Sequence, residues 1–262
     1  MYETIEIEMS GPVATVWMNR PDVHNAFNET LIDELTKACK ALDQDPAVRV
    51  VVLAGRGKSF SAGADLHWMR RAAAYTVDEN MKDAQALAGM LRTLAEMKRP
   101  TVARVHGAAL GGGMGLAAAC DIAVASTQAV FATSEVKFGI IPATIGPYVL
   151  RAIGARQAYR YFQTAERIGA ERAREIGLVH ETVAPEELDA KVEEIVAALL
   201  QGGPGAQTAA KELIRAVDRQ QVNQNLVDDT AHRIAHLRAT AEAKEGIAAF
   251  LEKRQPNWVG EE

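Results

Sequence analysis

The pattern of apolar positions in the N-terminal part of the chain changes from strand-like to helix-like and back. Two alternating runs, at 5–9 and 13–18, are separated by Ser10-Gly11-Pro12 and predict a β-hairpin. Asn28 can then cap a helix whose apolar face carries Leu31, Leu35, Ala38 and Leu42. Asp45-Pro46 ends this helix before an apolar run over 48–54 that is typical of a buried strand. Hairpin, helix and buried strand in this order favour an α/β fold with crossover connections.

A second pattern, over 101–126, places a glycine cluster between two predicted strands. An apolar run at 101–105 is followed by Gly107, by the triplet 111–113, and by small residues up to Cys120 that predict a buried helix. Adjacent glycines are typical of backbone with positive φ or of backbone that a ligand approaches closely. The N-terminus of such a helix offers free N–H groups to a negative charge, so we predict the active site here.

Two other interpretations of the glycine cluster have to be considered. The small residues could simply form a tightly packed core helix. Gly113, Gly115 and Ala118 also have the G-x-G-x-x-A spacing of a dinucleotide-binding turn, with Glu135 further downstream. That fingerprint normally follows the first strand of a doubly wound unit, whereas about a hundred residues precede it here.

The loop over 55–65 repeats the small-residue pattern between a predicted strand and a predicted helix. Ala62, Gly63 and Ala64 keep its side chains small, and Lys58 is a candidate contact for a phosphate group. Two such loops could each donate one backbone N–H to the same ligand oxygen.

The C-terminal part of the chain, from Pro185 onward, has a helical pattern. The predicted helices cover 186–200, 206–217, 222–237 and 241–253, with a break at the Gly-Gly-Pro-Gly sequence of 202–205. Their mixed charges indicate solvated faces or subunit contacts.

Composition excludes several classes of protein. A net charge of -5 over 262 residues argues against a nucleic-acid partner. Cys39 and Cys120 are far apart and indicate a reduced, cytoplasmic protein. No leader and no membrane segment are expected, and the spacing of the histidines and cysteines leads us to expect no metal site.

Three ordered motifs resemble the crotonase (enoyl-CoA hydratase/isomerase) superfamily over nearly the whole chain: FSAGAD at 60–65, HGAALGGGMGLAAACDIAVAS at 106–126 and FATSEVKFGIIPATIG at 131–146. The resemblance implies a spiral of ββα repeats over 1–200 and a helical trimerisation and lid region over 201–262. It also implies a homotrimer or homohexamer that binds an acyl-CoA thioester. No separate cofactor is expected, because coenzyme A is part of the substrate.

The resemblance also implies roles for individual residues. By motif position, the backbone N–H groups of Ala64 and Gly112 hold the thioester oxygen, and Glu135 is the acid or base. Hydratases of this superfamily have a second glutamate where this chain has Gly115. Further contacts with substrate or coenzyme A are expected from Lys58, Ala62, Asp65, Leu66, Gly111, Gly115, Phe250 and Lys253.

Three functions are compatible with these residues. Two segments resemble bacterial methylglutaconyl-CoA and carboxygeranoyl-CoA hydratases, namely SFSAGADLHWMRR at 59–71 and SEVKFGIIPATIGPYV at 134–149. This resemblance favours hydration of methylglutaconyl-CoA in leucine breakdown. A 3,2-enoyl-CoA isomerase with one glutamate and a non-catalytic acyl-CoA-binding or assembly subunit are the alternatives. For hydration of methylglutaconyl-CoA, Gly115 is expected to leave room for a branched acyl chain. A cation is then expected to face the acyl carboxylate, and the candidates are His67, Arg70, Arg71 and Lys137.

Overall fold

A computed structural model of the chain describes residues 2–259, and within them the strands form two sheets. The strands are β1 (Ile5–Ser10), β2 (Val13–Met18), β3 (Val50–Gly55), β4 (Thr101–Val105), β5 (Ala108–Leu110), β6 (Ile122–Ser126), β7 (Val130–Ala132), β8 (Ile168–Gly169) and β9 (Glu181–Val183). The helices are α1 (Glu29–Gln44), α2 (Leu66–Ala72), α3 (Val77–Glu96), α4 (Gly112–Ala119), α5 (Gly146–Thr164), α6 (Ala170–Glu175), α7 (Leu188–Gln201), α8 (Pro204–Val217), α9 (Gln224–Arg238) and α10 (Ala241–Glu252).

The larger sheet has the order β1-β2-β3-β4-β6-β9, and the smaller sheet has the order β5-β7-β8. The predicted hairpin is confirmed, because β1 and β2 pair antiparallel with Ile5 opposite Met18. From β2 to β9 every neighbouring pair in the larger sheet is parallel. The chain therefore leaves β3 and β4 at the same end of the sheet. The small-residue loop after β3 there meets β5, which leads into the glycine cluster, through a bridge between Ser61 and Ala109.

Helix α1 shows how local signals produce the packing. The Asn28 side chain accepts a hydrogen bond from the Leu31 backbone N–H at 2.9 Å, as predicted for a cap. The apolar face of α1 is buried and contacts the core under the larger sheet. Helix α3, in contrast, was not predicted, although Thr76 and Glu79 form a capping box at its start.

The C-terminal helices lie close to their predicted positions. Helix α7 packs its buried Leu188, Val192 and Val196 against the larger sheet, whereas α8 and the turn before it attach to the rest of the chain through polar contacts. Lys211 on α8 pairs with Asp121 at 2.6 Å, and the Arg49 guanidinium donates to the Gly202 carbonyl at 2.6 Å. At the other end, the Phe250 side chain of α10 is 81% exposed. The division into 1–200 and 201–262 stays a prediction.

Candidate active site

The loop after β3 presents one unused backbone donor. Phe27 and Ala64 form an isolated parallel bridge, in which the Phe27 N–H donates to the Gly63 carbonyl at 2.6 Å and the Asp65 N–H donates to the Phe27 carbonyl at 2.9 Å. These bonds use the Gly63 carbonyl and the Asp65 N–H, which flank Ala64. The Ala64 N–H itself has no protein acceptor within the described part of the chain.

The start of α4 presents a second donor. Gly111 takes the positive φ of +49° that was predicted for the glycine cluster, and its N–H donates to the Ala132 carbonyl at 2.8 Å. Gly112 is the first residue of α4, so its N–H has no acceptor within the helix. The dipole of α4 adds a partial positive charge at this point.

The two loops are packed directly against each other. The Leu110 N–H donates to the Ser61 carbonyl at 2.9 Å, and an ideal Cβ on Gly63 would lie 2.8 Å from the Leu110 oxygen and 3.7 Å from Gly111 Cα. A side chain at position 63 would force the loops apart. Ala64 and Gly112 both line one cavity of about 360 Å³.

Glu135 brings a carboxyl group into the same cavity. It begins a short 3-10 helix over Glu135–Phe138, and its Oε1 atom lies 3.3 Å from the position that a Cβ on Gly111 would occupy. Its buried Oε2 atom has no hydrogen-bond partner among the described residues. Burial raises the pKa of Glu135 above its ordinary value, because the charged form loses solvation. A carboxyl group with a raised pKa is better able to donate a proton as well as accept one.

The rest of the cavity wall is mainly apolar. Apart from the loop residues and Glu135, its lining consists of Phe27, Leu66, Trp68, Met69, Leu87, Leu110, Ser134, Phe138, Ile140, Ile141, Pro142, Thr144 and Ile145. Among residues 2–259, Glu135 is the one ionisable side chain in this lining. The low polarity around the carboxyl and the two N–H groups strengthens any electrostatic interaction made there.

Sequence reasoning missed two residues of this wall, Phe27 and Leu87. Phe27 packs its ring where a Cβ on Gly112 would lie, with Cε2 at 2.5 Å from that position. Leu87 comes from the unpredicted helix α3. The signal for α3 was present in its capping box and in the spacing of its buried residues Met90, Leu91 and Leu94.

Of the predicted contact residues, Ala62, Leu66 and Gly111 line the cavity, and the others do not. Lys58 is exposed outside it. Asp65 is buried as the cap of α2, where its carboxylate pairs with Arg20 at 2.9 Å and accepts the His67 N–H at 2.8 Å. Both carboxylate oxygens of Asp65 are thus used by the protein, and its contact with the substrate stays a prediction. Phe250 and Lys253 also lie outside the cavity lining.

The structure contradicts the expectation that Gly115 leaves room for a branched acyl chain, because Ile145 fills that space. An ideal Cβ on Gly115 would lie 2.8 Å from Ile145 Cβ and even closer to its Cγ2. Similarly, a Cβ on Gly113 would lie 3.0 Å from Ser61 Cβ and closer still to the Ser61 carbonyl oxygen. At these two glycines the protein itself fills the space of a side chain, and neither glycine lines the cavity, which argues against the dinucleotide interpretation.

The four candidate cations do not line the cavity. Arg71 pairs with Glu29 at 2.6 Å, while His67, Arg70 and Lys137 are exposed. A terminal carboxylate on the substrate would therefore find no basic side chain inside the cavity as the structure describes it.

The sequence contains one H-x-x-x-H pair, His232 and His236 on α9, which the prediction of no metal site did not take into account. Their ring centroids are 3.9 Å apart. Among residues 2–259, no group of three or more His, Cys, Asp and Glu side chains is arranged to hold a metal ion. Within the same residues, none of the helices combines the length and the apolar composition that crossing a bilayer requires.

The raised pKa of Glu135 predicts a pH-dependent effect on stability. The native state binds the proton of the Glu135 carboxyl more tightly than the unfolded chain does. The contribution of this proton to the free energy of unfolding is therefore complete below the unfolded-state pKa and is lost as pH rises through the native-state pKa. We expect Glu135→Gln, which places a neutral amide in the cavity, to raise Tm by a few degrees at about pH 7.5 and to change it little at about pH 4. Thermal unfolding at both pH values tests this, and an equal change at both would contradict it.

The fold and this site define an α/β protein that offers two main-chain donors and one carboxyl group around an apolar cavity. The chain matches the family described as enoyl-CoA hydratase/isomerase over residues 8–261, and it belongs to that family. It is 35% identical to a crotonyl-CoA hydratase of Syntrophomonas wolfei over 98% of each chain.

Solved structures show the same fold. A crystal structure of an enoyl-CoA hydratase from Shewanella pealeana is 40% identical, with a TM-score of 0.95 over 98% of this chain and 96% of that one. The structure of Pseudomonas aeruginosa AtuE is 36% identical, with a TM-score of 0.94 over 98% of this chain and 100% of that one. The predicted crotonase-like α/β fold is confirmed, and the protein is an enzyme of this class.

Proposed function

We propose that the protein adds water across the 2,3 double bond of an enoyl-CoA thioester. The thioester oxygen accepts hydrogen bonds from the Ala64 and Gly112 N–H groups, which stabilise the negative charge of the enolate. The observation that carries this proposal is the position of Glu135, which lines the apolar cavity together with the two donors and has a carboxyl oxygen without a hydrogen-bond partner among the described residues. The name of the Syntrophomonas relative, crotonyl-CoA hydratase, supports the same reaction.

A single carboxyl group can complete this reaction. The Glu135 carboxylate takes a proton from water while the water oxygen forms a bond to C3 and the electrons of the double bond move toward the thioester oxygen. The resulting carboxylic acid then donates its proton to C2, and the carboxylate is regenerated. Both hydrogen and hydroxyl come from the side on which Glu135 lies, so we expect syn addition. The raised pKa suits a group that has to act as both base and acid.

The cavity lining favours an uncharged acyl group. Its wall contains one ionisable side chain, and that side chain is an acid. Methylglutaconyl-CoA, the substrate suggested by sequence resemblance, carries a further carboxylate that Glu135 would repel. Binding of that substrate requires a basic side chain at the cavity mouth, for which the exposed Lys137, two residues after Glu135, is a candidate.

Double-bond isomerisation is the second candidate, and the same observation favours it. One carboxyl group suffices to remove a proton from C2 of a 3-enoyl-CoA and return it to C4. The cavity lining contains no second acid that could distinguish the two reactions.

Mass spectrometry of the product distinguishes these functions. The panel consists of crotonyl-CoA, a longer 2-enoyl-CoA, methylglutaconyl-CoA and a 3-enoyl-CoA, each incubated with the wild-type protein and with Glu135→Gln. We expect the products of the uncharged 2-enoyl esters to gain the mass of water in a Glu135-dependent manner. Conversion of the 3-enoyl ester alone, without a mass change, would favour isomerisation. Binding of acyl-CoA with no turnover of any ester would favour the non-catalytic alternative.

Several sequence predictions remain proposals. We propose an acyl-CoA ligand with no separate cofactor, a homotrimer or homohexamer, and a cytoplasmic location. In such an oligomer the exposed Phe250 and Lys253, at the end of α10, could contact coenzyme A in the same or a neighbouring subunit. Lys58 remains a candidate for the phosphate groups, because it is exposed in the loop that carries Ala64.

A further inference from the structure

Ile145 occupies the volume that a side chain at position 115 would need. It lies immediately before α5, is 1% exposed, and lines the cavity. The position of a Cβ on Gly115 would be 2.8 Å from Ile145 Cβ. Gly115 itself is buried under Ile145 and does not contribute to the cavity lining. The two positions therefore form a pair in which one residue has no side chain because the other fills the space.

This pair lies close to the thioester end of the cavity. Gly115 follows Gly112 by three residues on α4, which corresponds to about 4.5 Å along the helix axis. Under the proposed function, Gly112 holds the thioester oxygen. The Ile145 side chain then contacts the acyl carbons nearest the thioester, and it does not set the length of the chain.

The Ile145 wall is rigid. A β-branched side chain has few alternative χ1 rotamers, and full burial leaves it little space to adopt them. Its carbonyl accepts hydrogen bonds from the Tyr148 and Val149 N–H groups, both at 3.1 Å, which fixes the backbone at the start of α5. A bulky acyl group cannot displace this side chain without disturbing the helix.

We propose that Ile145 determines substrate specificity by closing the cavity above Gly115, so that it restricts how bulky an acyl group can be next to the thioester. This inference rests on the proposed function, because it takes the cavity to be the acyl-CoA site. Shortening the side chain extends the cavity toward the backbone of Gly115. This change is expected to increase the affinity for acyl-CoA esters with a branch near C3.

Binding of unreactive saturated esters tests the inference without requiring turnover. Calorimetric titration of butyryl-CoA and 3-methylbutyryl-CoA is carried out on the wild-type protein, on Ile145→Ala and on Ile153→Ala. Ile153 is a matched control, because it is also a buried isoleucine of the α5 segment and does not line the cavity. We expect Ile145→Ala to shift the ratio of the two dissociation constants about tenfold in favour of the branched ester. The control variant should keep the wild-type ratio.

The outcomes separate the inference from the proposed function. If the folded wild-type protein binds neither ester, the proposed function fails. If it binds both esters and Ile145→Ala leaves the ratio within about twofold of wild type, the role of Ile145 is overturned while the acyl-CoA site stands.

A double-mutant cycle tests the packing directly. Unfolding midpoints are measured for Gly115→Ala, Ile145→Gly and the double variant. We expect Gly115→Ala to lower the unfolding midpoint by much more in the wild type than in the Ile145→Gly background. Removal of the Ile145 side chain leaves space for the methyl group added at position 115. Equal losses in the two backgrounds would overturn the pairing of these positions.

Discussion

Replacing Glu135 with glutamine is expected to lower kcat for hydration by about 10²- to 10⁴-fold, because the amide can neither take a proton from water nor return it to C2. The substitution preserves the shape of the side chain, and the other lining residues are unchanged. Binding of a saturated acyl-CoA is therefore expected to stay within a few-fold of wild type. Steady-state kinetics with crotonyl-CoA, together with calorimetric titration of butyryl-CoA, measures both quantities.

Glu96→Gln is the matched control for this prediction. Glu96 lies on the exposed surface of α3, where its carboxylate pairs with Arg92 at 2.9 Å. We expect this variant to keep wild-type kinetics. A Glu135→Gln protein with more than a tenth of wild-type kcat would show that another group moves the proton, and the role of Glu135 would have to be abandoned.

The second large effect is expected from Ala64→Pro. Proline has no backbone N–H, so the substitution removes one of the two donors to the thioester oxygen. The Ala64 N–H is not used by any protein acceptor in the described structure, because the bridge to Phe27 uses the Gly63 carbonyl and the Asp65 N–H instead. Loss of a single donor of this kind costs about 10²- to 10³-fold in kcat. The loss should appear mainly in kcat, because the donor acts most strongly on the developing charge.

Two controls separate this effect from misfolding. Ala64→Gly keeps the N–H and is expected to retain most of the activity. Thermal unfolding of Ala64→Pro should remain cooperative, since no protein hydrogen bond is removed. An Ala64→Pro variant that folds normally and keeps wild-type kcat would contradict the assignment of this N–H to the thioester oxygen.

Local patterns in the sequence accounted for much of the fold. The hairpin of β1 and β2, helix α1 with its Asn28 cap, and the helices after Pro185 were all predicted close to their observed positions. Each depends on residues that are near one another in the chain, such as a cap and the apolar face that follows it. Helix α3 was missed even though its capping signal is local.

The candidate site depends on contacts between distant parts of the chain. The loops carrying Ala64 and Gly112 were identified from their small residues, and the structure packs them together beside Glu135. The roles of Asp65 and Gly115 could not be inferred in the same way. Asp65 is used by Arg20 and by the start of α2, and the space beside Gly115 is filled by Ile145.

The sequence by itself determined the α/β class, the elements up to residue 54 and after Pro185, and the two glycine-containing loops, because periodicity, capping and turn residues act over a few positions. Only the tertiary structure decided that Phe27 and Leu87 contribute to the wall of the cavity and that Ile145 fills the space beside Gly115. It also showed that, among the described residues, Glu135 is the one ionisable side chain in this wall. Occupation of a volume depends on every side chain packed around it. Position 115 and residue 145 meet because α4 and the start of α5 pack together, although thirty residues separate them in the chain.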